Sequence, residues 1–289
     1  MRVLVTGVNG QLGFDVVNEL KKRNHDAVGV DVAEMDITDA CAVERTVTSL
    51  KPDAVIHCAA WTAVDLAEDE ENREKVYSVN VKGTEFIAEA CKKVNAKMIY
   101  VSTDYVFNGL GETPWKPYDK REPISVYGKS KHEGELAVER ILQKYYIVRT
   151  AWVFGKNGKN FVKTMLQLGK TRTELNVVCD QIGSPTYTYD LSRLLVDMAE
   201  QEEYGVYHAT NEGFCSWYEF AKEIFRQAGE TDSTYKTVTV NPVSSDMFPA
   251  KAKRPCNSRM SKEKLTEKGF ERLPVWQDAL KRYLKEIQE

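Results

Sequence analysis

A strand-like run, Arg2-Val3-Leu4-Val5-Thr6, leads directly into three glycines at three-residue spacing, Gly7, Gly10 and Gly13. Apolar residues then recur at helical intervals: Leu12, Val16, Val17 and Leu20. A strand, a glycine turn and a helix in that order is the context of a dinucleotide-binding loop. Gly7 and Gly10 permit a tight turn and close approach of backbone to a pyrophosphate, while Gly13 lets the helix pack on the strand. Asn9, Gln11 and Leu12 fall where the free N–H groups of the helix start would meet phosphate. A second strand-like run, Ala27–Val30, ends at Asp31. An acid there accepts hydrogen bonds from an adenosine ribose and repels a 2′-phosphate, which tilts the loop toward NADH. Lys21, Lys22 and Arg23 lie nearby in sequence and soften that bias, so NADPH stays open. Asp36 and Ile37 follow and can flank an adenine.

The first half of the chain keeps alternating. Strand patterns at Ala54–Cys58, Lys97–Ser102 and Tyr146–Thr150 are separated by helical patterns at Thr84–Val94 and Ser125–Leu142. That alternation predicts a parallel sheet with right-handed crossovers. The second half is less regular. Helices are expected at Phe161–Leu168, Leu191–Glu200 and Trp217–Ala228, with strands at Leu175–Cys179 and Val206–His208. Asn241–Arg259 reads as irregular, ahead of two C-terminal helices. The fold class is therefore α/β: a Rossmann-type doubly wound parallel sheet with a smaller, mixed C-terminal domain. Residues 1–154 are expected to form the nucleotide domain, with a return of the chain at about 185–212. Residues 155–184 and 213–289 are expected to form the substrate domain. The Pro/Gly-rich stretch Asn108–Pro123 has the length of a lid or site wall.

The helix at Ser125–Leu142 carries Tyr127 and Lys131. Residues four apart turn through roughly 400°, so the two project from one face. An ammonium near a phenol favours phenolate and lowers the phenol pKa, giving a proton donor useful near neutrality. Ser102 and Thr103 end the strand before it. His57, inside an apolar strand, reads as a satisfied core histidine.

Taken together, these segments resemble the extended short-chain dehydrogenase/reductase family. Thr6-Gly7-x-x-Gly10-x-x-Gly13 has that family's spacing, Thr103, Tyr127 and Lys131 match its Ser/Thr–Tyr–Lys triad, and Asn80 matches its helix asparagine. Within it the chain is most similar to the reductases that complete dTDP-L-rhamnose synthesis. The matching segments are Ala59-Ala60-Trp61-Thr62-Ala63-Val64-Asp65, Ser102-Thr103-Asp104-Tyr105-Val106-Phe107 and Arg149-Thr150-Ala151-Trp152-Val153. Asp180-Gln181-Ile182-Gly183-Ser184-Pro185-Thr186 and Arg254-Pro255-Cys256-Asn257-Ser258-Arg259 extend the match toward Trp276. The resemblance implies hydride reduction of a 4-keto dTDP sugar by NADPH or NADH, the sugar often going on to cell-surface polysaccharide. It implies cofactor contacts from Ala59, Ala60, Thr62, Asn80 and Ser102 besides the glycine loop. It implies substrate contacts from Val64, Thr103, Tyr105, Tyr127, Trp152, Asn160, Gln181 and Arg254. Arg254 has two readings: a fork onto pyrophosphate oxygens, or a surface salt bridge. Some family members form a dimer around a magnesium ion held by glutamates. The nearest counterparts here are Asp15, Asp190 and Glu286. Aspartate reaches one methylene less, so a shared Mg2+ is doubtful and solvated surface carboxylates are the plain reading. Monomer and homodimer both remain open.

Tyr105 sorts the chemistry further. Related dehydratases carry a glutamate at that place, where an Asp-Glu pair serves as acid and base. A phenol stays protonated near pH 7 and cannot replace that carboxylate. Two rivals to the reductase remain. One is a reductase or epimerase for another nucleotide sugar. The other is a non-catalytic subunit resembling the regulatory subunit of methionine adenosyltransferase, against which an intact triad argues.

Bulk properties exclude other classes. A net charge of −3 shows no basic excess for nucleic acid, and no polybasic run suits a membrane surface. The longest apolar stretches, such as Val55 to Trp61, are too short to span a bilayer. No signal-peptide core follows Met1, and six cysteines lie scattered without a C-x-x-C. Reduced thiols in a cytoplasmic protein are expected.

Overall fold

A computed structural model describes residues 1–288. Its centre is a six-stranded sheet. Five strands come from the first 150 residues: β1 (Arg2–Thr6), β2 (Asp26–Val30), β3 (Ala54–His57), β4 (Lys97–Thr103) and β5 (Tyr145–Thr150). The sixth is Gly205–His208. Across the sheet the order is Gly205–His208, β5, β4, β3, β1, β2. Every neighbouring pair is parallel. β3 is buried along its whole length, and β1 from Val3 onward. Such unbroken apolar runs suit strands covered on both faces. After β2 the chain crosses back over β1 to place β3 on its far side. That reversal between β1 and β3 opens a crevice at the carboxyl ends of the strands.

Two helical layers cover the sheet. On one face α1 (Gln11–Lys22) packs with helix Thr188–Glu200, joining Val16 and Leu20 to Leu191, Leu194 and Leu195. On the other lie α2 (Ala40–Leu50), α3 (Glu70–Tyr77), α4 (Thr84–Val94) and α5 (Val126–Ile141). Val43, Val47, Ile87, Cys91 and Val138 form that second core. Side-chain caps fix two of these starts. Asp39 accepts the N–H groups of Cys41 and Ala42, and Ser125 accepts that of Gly128. A third core stands apart from the sheet. It joins helices Phe161–Gly169, Trp217–Ala228 and Trp276–Glu286 through Val162, Phe220, Ile224, Trp276 and Leu280. No described helix is long and apolar enough to cross a membrane.

The structure departs from the sequence reading at several points. Helix α2 was not expected, because its buried residues, Ala42, Val43 and Val47, are sparse among Thr, Ser and Arg. Thr239–Val243 overlaps the stretch read as irregular, yet forms a strand pairing in parallel with Glu174–Val178. Its partner is remote in sequence, so no local hairpin pattern marks it. The basic cluster does not face the ribose end. Arg23 is bound by Glu19, Asp197 and Glu200, and Lys22 donates to the Tyr189 hydroxyl. Both stand at the far end of α1, about 18 Å from the glycine loop at ~1.5 Å per residue.

Asp15 and Asp190 are not solvated carboxylates: they are 6% and 3% exposed. Thr188 donates to Asp15, whose carboxyl is pushed up to about 6, chiefly by burial. Arg282 forks onto both Asp190 oxygens at 2.7 Å, with Asn211 adding a third donor at 2.8 Å. Glu286 accepts the Tyr187 hydroxyl at 2.8 Å. Among the described residues no group of three or more His, Cys, Asp or Glu side chains is arranged to hold a metal. The stretch Asn108–Pro123 is strapped down. Trp115 exchanges backbone hydrogen bonds with Arg259 and Ser261, and the Gly109 carbonyl accepts from Asn257.

The central strand should be the least forgiving. Ile56→Ala removes a fully buried side chain from β3 and should cost about 2–5 kcal/mol in urea unfolding.

Candidate active site

One cleft of about 740 Å³ runs along the carboxyl ends of β1 to β5. At one end lies the glycine loop, with Gly7, Asn9, Gly10, Gln11, Leu12 and Gly13 lining the wall. The close packing there depends on Gly13. A Cβ at that position would run into the Gly7 carbonyl and the Val8 backbone. Gly10 caps α1 without a side-chain bond, and the first turn of α1 holds no acid. The amides of that turn therefore face the cleft as an anion cradle. Asp31, Asp36 and Ile37 line the same end. Asp31 accepts the Asn9 N–H at 3.0 Å and the Val32 N–H at 2.9 Å, which ties the loop to the end of β2. These features fit a dinucleotide.

The floor is built by β3, β4 and the residues after them. Ala59, Ala60 and Thr62 line it, as do Ser102 and Thr103. His57 lies beneath, buried between Thr6 at 2.7 Å and Thr84 at 3.3 Å. Burial and the Lys131 charge hold its imidazole neutral, down to about 3. Asn80 does not line the cleft. It sits in a π-helical turn, Ser78–Gly83, between α3 and α4. Its carboxamide accepts the Trp61 N–H at 2.8 Å and donates to the Trp61 carbonyl at 3.2 Å and to Ser130 at 2.9 Å. Asn80 thus braces the cleft floor against α5.

Thr103, Tyr127 and Lys131 meet at the centre of the cleft. Thr103 ends β4, while Tyr127 and Lys131 occupy successive turns at the start of α5. The Tyr127 and Tyr105 rings meet edge to face at 5.5 Å. Burial drives the Tyr127 phenol above its usual range, and the neighbouring Thr103 hydroxyl partly offsets this. Lys131 is bound to β4. Its ammonium donates to the Val101 carbonyl at 2.8 Å and lies 4.1 Å from the Tyr100 ring centre. Burial brings Lys131 down to about 7, opposed by the charge of Glu135. Loss of its charge thus comes within reach of neutral pH.

The other end of the cleft is aromatic and apolar: Trp61, Val64, Tyr105 and Trp152. Trp152 has a left-handed backbone, φ 51°, and stacks on Trp217 at 3.7 Å. Three expected substrate residues lie off the lining. Asn160 caps helix Phe161–Gly169 and bonds Gln11 and Tyr283 at 2.9 Å. Gln181 is buried away from the cleft wall. Arg254 forms the salt bridge, donating to Asp65 at 2.6 Å beside the Tyr105 hydroxyl.

In the sequence Asp104 stands only as half of the dehydratase pair; in the structure it lines the cleft and is 3% exposed. It accepts the Thr103 hydroxyl at 3.0 Å and that of Ser258 at 2.5 Å. Ser258 is 154 residues away in the chain, so no local spacing announces the contact. Lys159, from the third-core side, also reaches the lining.

A family model described as RmlD substrate binding domain matches residues 1–289. A curated dTDP-4-dehydrorhamnose reductase from Aggregatibacter actinomycetemcomitans is 41% identical over 287 residues, covering 97% of each chain. The chain belongs to the dTDP-4-dehydrorhamnose reductase family. The solved dTDP-4-dehydrorhamnose reductase of Clostridium acetobutylicum superposes with a TM-score of 0.95 at 43% identity, covering 100% of both chains. The dTDP-4-dehydrorhamnose reductase of Bacillus anthracis, solved in complex with NADP, has a TM-score of 0.93 at 43% identity over 99% of each chain.

Burial lifts the Asp104 carboxyl to about 6 against the hydrogen bonds it accepts. A carboxyl raised in the folded state holds its proton longer than the unfolded chain does. Stability is therefore lost as pH rises from about 4 to 6. Asp104→Asn should remove that slope, leaving the variant about 2–3 kcal/mol less pH-sensitive than the parent between pH 4 and 7 in urea melts.

Proposed function

We propose that the protein reduces the C4 ketone of dTDP-4-dehydro-β-L-rhamnose to dTDP-L-rhamnose, the last step of dTDP-rhamnose synthesis. The observation that carries this reading is the convergence of Thr103, Tyr127 and Lys131 in the one cleft that also holds the glycine loop. Reduced nicotinamide dinucleotide, when bound, supplies the hydride. The glycine loop and the start of α1 hold its phosphates, and Asp31 meets its adenosine ribose. Asp31 already accepts two backbone amides. Both of its oxygens are thereby engaged, and the reading takes NADPH as well as NADH.

Tyr127 donates its phenolic proton to the oxygen that develops at C4. Thr103 orients that oxygen, and Lys131 holds the nicotinamide ribose. A donor placed where negative charge develops contributes more than one offered by bulk water. The apolar end of the cleft, Val64, Tyr105 and Trp152, suits a deoxysugar with its methyl group. Elimination of water has no support, because Tyr105 occupies the place of the second carboxylate and burial drives its phenol higher still.

Loss of nicotinamide absorbance on adding dTDP-4-dehydro-L-rhamnose, followed with NADPH and NADH separately, tests the reading. No consumption with either nucleotide would overturn it. Tyr127→Phe should keep nucleotide affinity within about twofold and lose about 10²–10⁴ in kcat. Turnover near the parent rate would remove Tyr127 from the proton-donor role.

A further inference from the structure

The stripe on α5 that begins with Tyr127 and Lys131 continues to Glu135, again four residues on. Three consecutive residues of β4, Val101 to Thr103, meet these three helix positions. Thr103 lies beside Tyr127, the Val101 carbonyl accepts from Lys131 at 2.8 Å, and the Ser102 hydroxyl donates to Glu135 at 2.6 Å. Glu135 is wholly buried, as is its partner Arg149 on β5 at 1% exposure. Arg149 forks onto both Glu135 oxygens at 2.8 Å, and Arg121 adds a third cationic contact at 3.1 Å. Arg149 Nη1 donates to the Pro117 carbonyl at 2.8 Å and meets His208 Nε2 at 3.3 Å.

A buried ion pair is a poor source of stability, because desolvating both charges offsets their attraction. A fully buried carboxylate one turn beyond Lys131 therefore calls for a reason besides stability. We propose that Glu135 is a positioning residue for the reaction: it fixes α5 in register with β4 and keeps Lys131 cationic in its buried place. The proposal rests on the reductase reading of the same cleft.

The other groups facing Lys131 do not supply a counter-charge. Tyr127 shares its helix, Tyr100 presents a ring face from β4, and His57 and Cys58 stand at the end of β3. The His57 imidazole is held neutral, and burial drives the Cys58 thiol up to about 12. Around Glu135 the charged neighbours are Arg149 and Arg121, with His132 beside it on α5. Removing the Glu135 charge withdraws what opposes the desolvation of Lys131. Lys131 then loses its proton at lower pH, and whatever needs the ammonium is lost sooner as pH rises.

The test compares the parent, Glu135→Gln and the double variant Glu135→Gln/Arg149→Met between pH 6 and 9. The double variant leaves no unpaired buried arginine and guards against a fold defect in the single one. Two readouts are taken: NADPH dissociation constant by nucleotide fluorescence, and kcat with dTDP-4-dehydro-L-rhamnose. The expected result is an alkaline loss of both that begins about one pH unit lower in Glu135→Gln than in the parent, and by a smaller margin in the double variant, where a cation leaves together with the anion. A loss uniform across pH, or a parent-like profile despite a lowered Tm, would overturn the proposal and leave Glu135 a structural residue. Parent protein that binds NADPH yet never turns over the keto sugar would instead overturn the reductase reading. The pH course of NADPH binding would still decide the role of Glu135.

Discussion

Helix α5 lies close against strand β4, and the geometry of the cleft depends on that contact. Gly134 makes it possible. A Cβ there would strike the Tyr100 hydroxyl and the Asn80 carbonyl. With α5 seated, Lys131 reaches Val101, Glu135 reaches Ser102, and Tyr127 stands beside Thr103. Asn80, held between Trp61 and Ser130, ties the same helix to the cleft floor. Side chains on one helix and one strand are thus held by several short bonds at once, which fixes their relative positions.

The second half of the chain closes the other side of the cleft. Trp152 follows β5 and is held at positive φ, a conformation that costs about 1–3 kcal/mol in a bulky residue. Its stacking on Trp217 and the bond its carbonyl accepts from Thr186 hold it there. Ser258 reaches Asp104, and Arg254 pairs with Asp65. Segments more than 150 residues apart therefore meet at the residue that follows Thr103. Both contacts lie at the aromatic end of the cleft, beside Tyr105.

The parallel sheet was legible because its strands are buried on both faces and so spell continuous apolar runs, as at Ala54–His57. The glycine loop and the Tyr127/Lys131 pair were legible because each is a local pattern, one set by a turn and the other by helical period. Helix α2 was missed because its buried face has only three residues. Strand Thr239–Val243 was missed because it has no sequence-adjacent partner. Asn160, Gln181 and Arg254 are read as substrate contacts from resemblance; none lines the cleft wall, and Arg254 stands just behind it, bonded to Asp65 beside Tyr105.

Local order in the chain was enough to set the α/β class, the nucleotide loop and the helix that carries Tyr127 and Lys131. Each rests on contacts within a turn or on a repeating period, and both are written in consecutive residues. Tertiary structure alone decided the burial of Asp15, Asp104 and Asp190 and the grip of Glu135 on Ser102 and Arg149. Charge state depends on solvent exclusion and on partners from other elements. No stretch of sequence encodes those until the sheet and its helices have closed around them.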